Sequence, residues 1–136
     1  MRVSLIFAAL SLASVAFATQ DDRVTPRGKI VHLPGDDMQG EEPIRFESES
    51  GETFDLVLEP DNFYAIHDKL LEDRIWEFEG FVKGDQLEVQ KMFTIKDGHR
   101  HDVTYYCEIC HIVSHRPGRC MCCQEHVELQ ETKTEE

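Results

Sequence analysis

Between Tyr105 and Leu129 the chain reads YYCEICHIVSHRPGRCMCCQEHVEL, a stretch that holds all five of its cysteines. Two Cys-x2-Cys pairs, Cys107/Cys110 and Cys120/Cys123, are separated by nine residues. No other feature restricts the fold as much. Each pair can form a knuckle that turns two thiolates toward one tetrahedral ion, and the Pro117-Gly118 turn before the second pair suits a hairpin that brings the knuckles together. The spacing therefore predicts a zinc ribbon with Cys107, Cys110, Cys120 and Cys123 as ligands. Cys122, next to Cys123, is the alternative fourth ligand. Gln124 stands where such a knuckle often carries glycine, which relieves a left-handed backbone.

The same residues admit rival chemistries. Cys107-Glu108-Ile109-Cys110-His111 spells the C-x-x-C-H attachment sequence of c-type haem, but a haem there leaves the second pair without a role. Disulfides suit an oxidising compartment. Against them, five is an odd number and a bridge between the adjacent Cys122 and Cys123 would be strained. One cysteine is left over in the metal reading too, so it is the paired spacing that favours a metal. A thiol redox centre fits less well, because neither pair opens a helix after a strand. Copper is the alternative ion. Cys120-Met121-Cys122-Cys123 is a run of soft sulfur ligands, with His99, His101, His111, His115 and His126 close by in sequence. Of these, His99, His101, His111 and His115 are candidates for a second site. His99 and His101 alternate along a strand end and would face the ribbon on one side. Singly, each histidine reads as a solvated residue on a polar surface.

The N-terminus supplies an address. Arg2 precedes an apolar run from Leu5 to Leu12, and Ala16-Phe17-Ala18 is an A-x-A cleavage site, so residues 1–18 read as a secretory signal peptide cut after Ala18. Interrupted by Ser11 and Ser14, the run falls short of the roughly 20 apolar residues that a spanning helix needs. The expectation is a periplasmic or secreted protein that is not embedded in the membrane. Its net charge is −13. Such a surface repels phosphate backbones and anionic lipid, and the only basic cluster is the Arg116 to Arg119 turn, so no nucleic-acid partner is expected.

Upstream of the cysteines the pattern is β. After a flexible lead-in at 19–26, strands are expected at 28–33, 44–50 and 53–60. A helix over 62–73 follows, with Phe63, Ile66 and Leu70 at helical spacing, then strands at 74–82 and 86–95. In the last of these Leu87, Val89, Phe93 and Ile95 are assigned to one face. Three strands, a helix and two strands is the element order of an OB-like Greek-key barrel, placed at 27–97. An SH3-like or other small β-barrel is the alternative. Phe46, Phe54, Trp76 and Phe78 are assigned to the interior, and Glu77, Glu79 and Asp97 to a solvated face. A Cys/His-rich ribbon at 98–129 and a disordered tail at 130–136 complete an all-β chain with one short helix.

The C-terminal stretch resembles the short heavy-metal-binding domain attached to metal export proteins. Tyr105, Cys107, Pro117, Gly118, Cys120, Cys123 and Leu129 occupy matching places over about 25 residues, and Cys110 stands where that family has histidine. The barrel-plus-ribbon arrangement is also similar to exported bacterial proteins of no assigned activity. These resemblances imply a metal-binding ribbon and carry no transport function. No catalytic triad, phosphate loop or H-E-x-x-H is present, and a four-thiolate zinc is closed to water. The expected function is thus non-enzymatic: zinc held structurally, with the barrel or ribbon surface binding a protein partner in the cell envelope. The alternatives are copper or heavy-metal transfer and a thiol redox or disulfide-stapled protein.

Overall fold

Alternation of apolar and polar residues sets the strands. Ile44, Phe46 and Ser48 are buried in β3 (Ile44–Ser48) while Arg45 and Glu47 are exposed, and β4 (Thr53–Val57) buries Phe54 and Leu56 in the same way. The computed structural model describes residues 23–35 and 42–135, so the expected signal peptide lies outside the described residues. The other described elements are β1 (Arg23–Val24), β2 (Arg27–His32), α1 (Pro60–Ile66), a 3-10 turn at Lys69–Leu71, β5 (Ile75–Lys83), β6 (Gln86–Lys96), β7 (His99–Tyr106), β8 (Val113–Ser114) and β9 (Glu128–Lys133). No helix among the described residues is long and apolar enough to cross a membrane.

Strands β2, β3, β4, β6 and β5 form a closed ring in that order, with β5 returning to β2. All contacts in the ring are antiparallel except β4 with β6, which is parallel. The chain is therefore a small all-β barrel with its helix between the third and fourth barrel strands. Phe46, Phe54, Trp76 and Phe78 fill the interior as expected. Phe46 meets Phe78 edge to face with ring centroids 4.9 Å apart, a geometry that adds to the gain from apolar burial.

Gly80 closes the barrel. A Cβ there would lie 2.0 Å from the Glu88 carbonyl oxygen, and the β5/β6 register shifts between Glu79 and Gly80. Glu79 pairs with Lys91 and Gly80 with Val89, which leaves Gln90 as the extra residue of a bulge. The bulge corrects the expected single face of β6. Leu87, Val89 and then Met92 pack on the core, whereas Phe93 and Ile95 lie outside that cluster; the Arg100 guanidinium covers the Phe93 ring at 4.7 Å.

Other expectations are also corrected. The helix stops at Ile66 rather than running on to Asp73, because the His67 ring bonds the Phe63 and Pro34 carbonyl oxygens and the Asp68 carboxylate accepts from Leu70 N–H to start a separate turn. Glu77 is buried, not solvated: Arg27 at 2.8 Å and Arg100 neutralise it. Within the expected lead-in, Arg23 and Val24 pair with Phe81 and Gly80. The expected disordered tail is ordered from Gln130 to Lys133 as part of β9, which pairs with β7 along its whole length.

Candidate metal centre

β7 pairs with β6 of the barrel and leads into the first knuckle, and the second knuckle lies between β8 and β9. Tyr105 pairs with Ser114 of β8 on one side and with Leu129 of β9 on the other; Tyr106 pairs with Val113 and Glu128. The first knuckle is the connection from β7 to β8, and the second is the turn closed by the Arg119–His126 bridge, just before β9. Two strands flanking one strand thus bring together cysteines up to sixteen positions apart in sequence.

The knuckles repeat one backbone pattern. Cys107 N–H donates to the Ile112 carbonyl (3.0 Å) and His111 N–H to the Cys107 carbonyl (2.8 Å). Cys120 N–H donates to Glu125 (2.7 Å) and Gln124 N–H to Cys120 (3.1 Å) at the same offsets. Each turn needs a left-handed residue after its second cysteine: His111 has φ 56° and Gln124 φ 65°. A side chain costs about 1 kcal/mol in that region. Gln124→Gly is therefore expected to keep the metal and raise stability by up to about 1 kcal/mol, since the relief of strain outweighs the freedom gained by the unfolded chain. Thermal unfolding of the metal-loaded protein checks this, and a lowered midpoint would show that the Gln124 side chain matters more than its backbone.

Cys107, Cys110, Cys120 and Cys123 converge, with all four Sγ atoms within 4.8 Å of one another. Cys107 Sγ and Cys123 Sγ are 3.5 Å apart. Zinc bound tetrahedrally at about 2.3 Å from each sulfur needs thiolates about 3.8 Å apart, so this donor set fits the ion. Cys107 and Cys120 are buried inside the site, and Cys110 and Cys123 form its half-buried rim. Backbone N–H groups point at the sulfurs, from Cys110 to Cys107 Sγ and from Cys122 to Cys120 Sγ, both at 3.4 Å. The N–H groups of Cys123 and Cys122 hold the Cys120 thiol down to about 7, which favours the thiolate that a metal requires.

Cys122 is exposed and lies outside the group of four. Its thiol beside Cys110, with burial, pushes the Cys110 thiol up. None of the five cysteines is in a disulfide. The C-x-x-C-H run is folded as a knuckle, with Cys107 and Cys110 turned toward the second pair.

The histidines do not assemble a second site among the described residues. His101 precedes Cys107 by six residues along extended chain, about 20 Å, and its Nδ1 sits 3.0 Å from the His99 carbonyl. His99 and His101 therefore lie at the far end of β7 and do not face the ribbon site. His111 Nδ1 meets the Tyr106 hydroxyl at 2.5 Å, and His115 lines an open cleft. Sequence reasoning missed the parts that tie the ribbon to the barrel. Arg116 bonds Asp61 at 3.1 Å and stacks over Tyr64, and Tyr105 donates to the Asp68 carboxylate at 2.7 Å. Glu131 gathers Arg74, Thr94 and Lys96. Val127 and Leu129, alternating toward Glu131 and partly buried against the core, were the available signal for β9.

No protein-family model, curated protein or solved structure matches this chain. What the site can do follows from its own geometry: four cysteines on two knuckles form a group that can hold a metal ion.

Proposed function

We propose that this is an exported, non-enzymatic zinc-binding protein in which Cys107, Cys110, Cys120 and Cys123 hold the ion structurally, and whose barrel or ribbon surface serves as an interaction module in the cell envelope. The convergence of four thiols within 4.8 Å carries the reading. Four thiolates complete the coordination of zinc and leave no position for water, so the ion acts on the fold rather than on a substrate. The A-x-A site at Ala16-Phe17-Ala18 supports export.

Elemental mass spectrometry with a thiol count, on protein exported to a periplasm and purified without chelator, tests this. The expected result is about one zinc per chain. Metal-free protein with four oxidised cysteines would sink the proposal. Copper is the second reading, favoured by the sulfur-rich rim that exposed Cys122 and Met121 add beside Cys110. Competition between Zn(II) and Cu(I) in the same assay separates the two.

A further inference from the structure

We propose that the cleft between the ribbon and α1 is a docking site for the carboxyl-terminal end of a partner polypeptide whose last residue is apolar. This rests on the zinc-ribbon reading, because the walls of the cleft are the knuckles themselves. A hollow of about 390 Å³ lies against Cys107 and Cys120, and its lining includes Asp61, Ile112, Arg116, Arg119, Met121 and Val127. Its size falls within the roughly 300–1,000 Å³ of ligand clefts, and apolar walls with a few polar groups are their usual composition. Each knuckle leaves one large apolar side chain in water at this hollow: Ile112 is 43% exposed and Met121 90%. Covering both is the gain that a partner would supply.

Charge selects the partner. The chain carries a net −13, yet its one basic turn, Arg116 to Arg119, forms a wall of this apolar hollow. Arg116 gives an Nη2 hydrogen to Asp61 (3.1 Å) and Arg119 an Nη1 hydrogen to the Gln124 carbonyl (3.1 Å). A guanidinium has five N–H donors, so donors remain on both side chains for an incoming carboxylate. A peptide rich in Asp or Glu would be repelled by the rest of the surface. One carboxylate joined to an apolar side chain matches a hollow in which two guanidinium groups lie beside exposed apolar surface.

Two features favour a polypeptide. Past Asp61 and His115 the cleft continues into a second hollow of about 320 Å³ along β6 and β7, which gives room for the preceding residues. β8 ends the sheet path, and no strand pairs with its outer edge among the described residues, so its backbone groups are available to an extended chain beside the hollow.

The test uses the zinc-loaded full chain, labelled with nitrogen-15 and titrated with a pool of acetylated tetrapeptides ending in Leu, Ile, Phe or Met. The same pool as C-terminal amides is the comparison. The free acids are expected to shift the amide signals of Ile112, Ser114, Met121 and Val127 saturably. The amides should bind at least about tenfold more weakly, as expected for loss of a charge-assisted pair. Met121→Asp should keep its zinc and lose the peptide. Equal binding of acids and amides, shifts elsewhere on the barrel, or no saturable binding overturns the proposal. Zinc content measured on the same sample separates the two ways of failing. A chain that carries no zinc overturns both readings; a zinc-loaded chain that ignores the acids overturns this one alone.

Discussion

On the proposed zinc-binding function, Cys120→Ser protein is expected to purify without a stoichiometric ion and with the ribbon unfolded, while the barrel keeps its core. Cys120 is one of the two buried thiols and is only 4% exposed, and two backbone N–H groups favour its thiolate. Serine at this position offers a shorter side chain and a hydroxyl that holds its proton. Binding free energies for structural zinc are on the order of 10–16 kcal/mol near neutral pH, and much of that is folding energy for the segment around the ion. Loss of a direct ligand should therefore cost more than the roughly 10–100-fold in affinity that follows from losing an outer partner. Amide signals of residues 107–127 should collapse, and those of Phe46, Trp76 and Phe78 should persist because their packing involves no knuckle residue. Cys122→Ser is the control; its thiol is outside the group of four, so zinc should stay. If the Cys120→Ser chain resists a chelator as well as the parent does, Cys120 is not a ligand. Acid should release the ion from the parent protein too, since protons compete for each thiolate.

The knuckles were legible because thiolates about a single ion must come in pairs at short spacing, and short spacing survives in the sequence. The barrel was legible for a related reason: Ile44, Phe46, Phe54 and Leu56 alternate with polar neighbours, and that period is the pleat of a strand. Failure came where side chains with polar ends are buried in pairs. Glu77 reads as a surface residue until Arg27 and Arg100, respectively fifty residues before and twenty-three after it, are brought to it. Gln90 carries no mark of a bulge, which is set by the close approach of Gly80 to the Glu88 carbonyl. β9 was hidden for both reasons. Its sequence ELQETK is polar, and only Leu129 and Glu131 turn inward, one onto the core and one onto three donors on other strands and turns. The histidines misled in the opposite sense, because closeness in sequence along an extended strand is distance in space. His101 and Cys107 lie at opposite ends of β7.

The same strand supplies the second large effect, because Glu131→Gln is expected to destabilise the fold and remove much of its sensitivity to acid. The Glu131 side chain is 7% exposed. It accepts two hydrogen bonds from Arg74 at 2.9 and 3.0 Å, one from the Thr94 hydroxyl at 2.7 Å, and one from Lys96 at 3.1 Å. Burial by itself would raise its pKa; Arg74, Thr94 and Lys96 more than offset this and hold it at about 2, against an ordinary 4.5. A carboxylate whose folded pKa is depressed stabilises the fold above its unfolded pKa, and that contribution is lost as pH falls through the folded one. Here the full contribution, up to about 3 kcal/mol, is present above about 4.5 and disappears between 4.5 and 2. The neutral amide cannot accept four charge-assisted bonds, so urea unfolding at pH 7 should show a loss of about 2–3 kcal/mol. Between pH 4.5 and 2 the parent should approach the variant, because protonation does to Glu131 what the substitution does. A parent and variant with parallel pH profiles would place the acid sensitivity elsewhere. The consequence reaches the metal. β9 pairs with β7 from His101 to Tyr106 and leads directly out of the second knuckle, so loosening Glu131 removes the clamp that holds Cys120 and Cys123 against Cys107 and Cys110. On the proposed zinc-binding function, the ion should therefore leave the Glu131→Gln chain faster under chelator than it leaves the parent, although all four cysteines are intact.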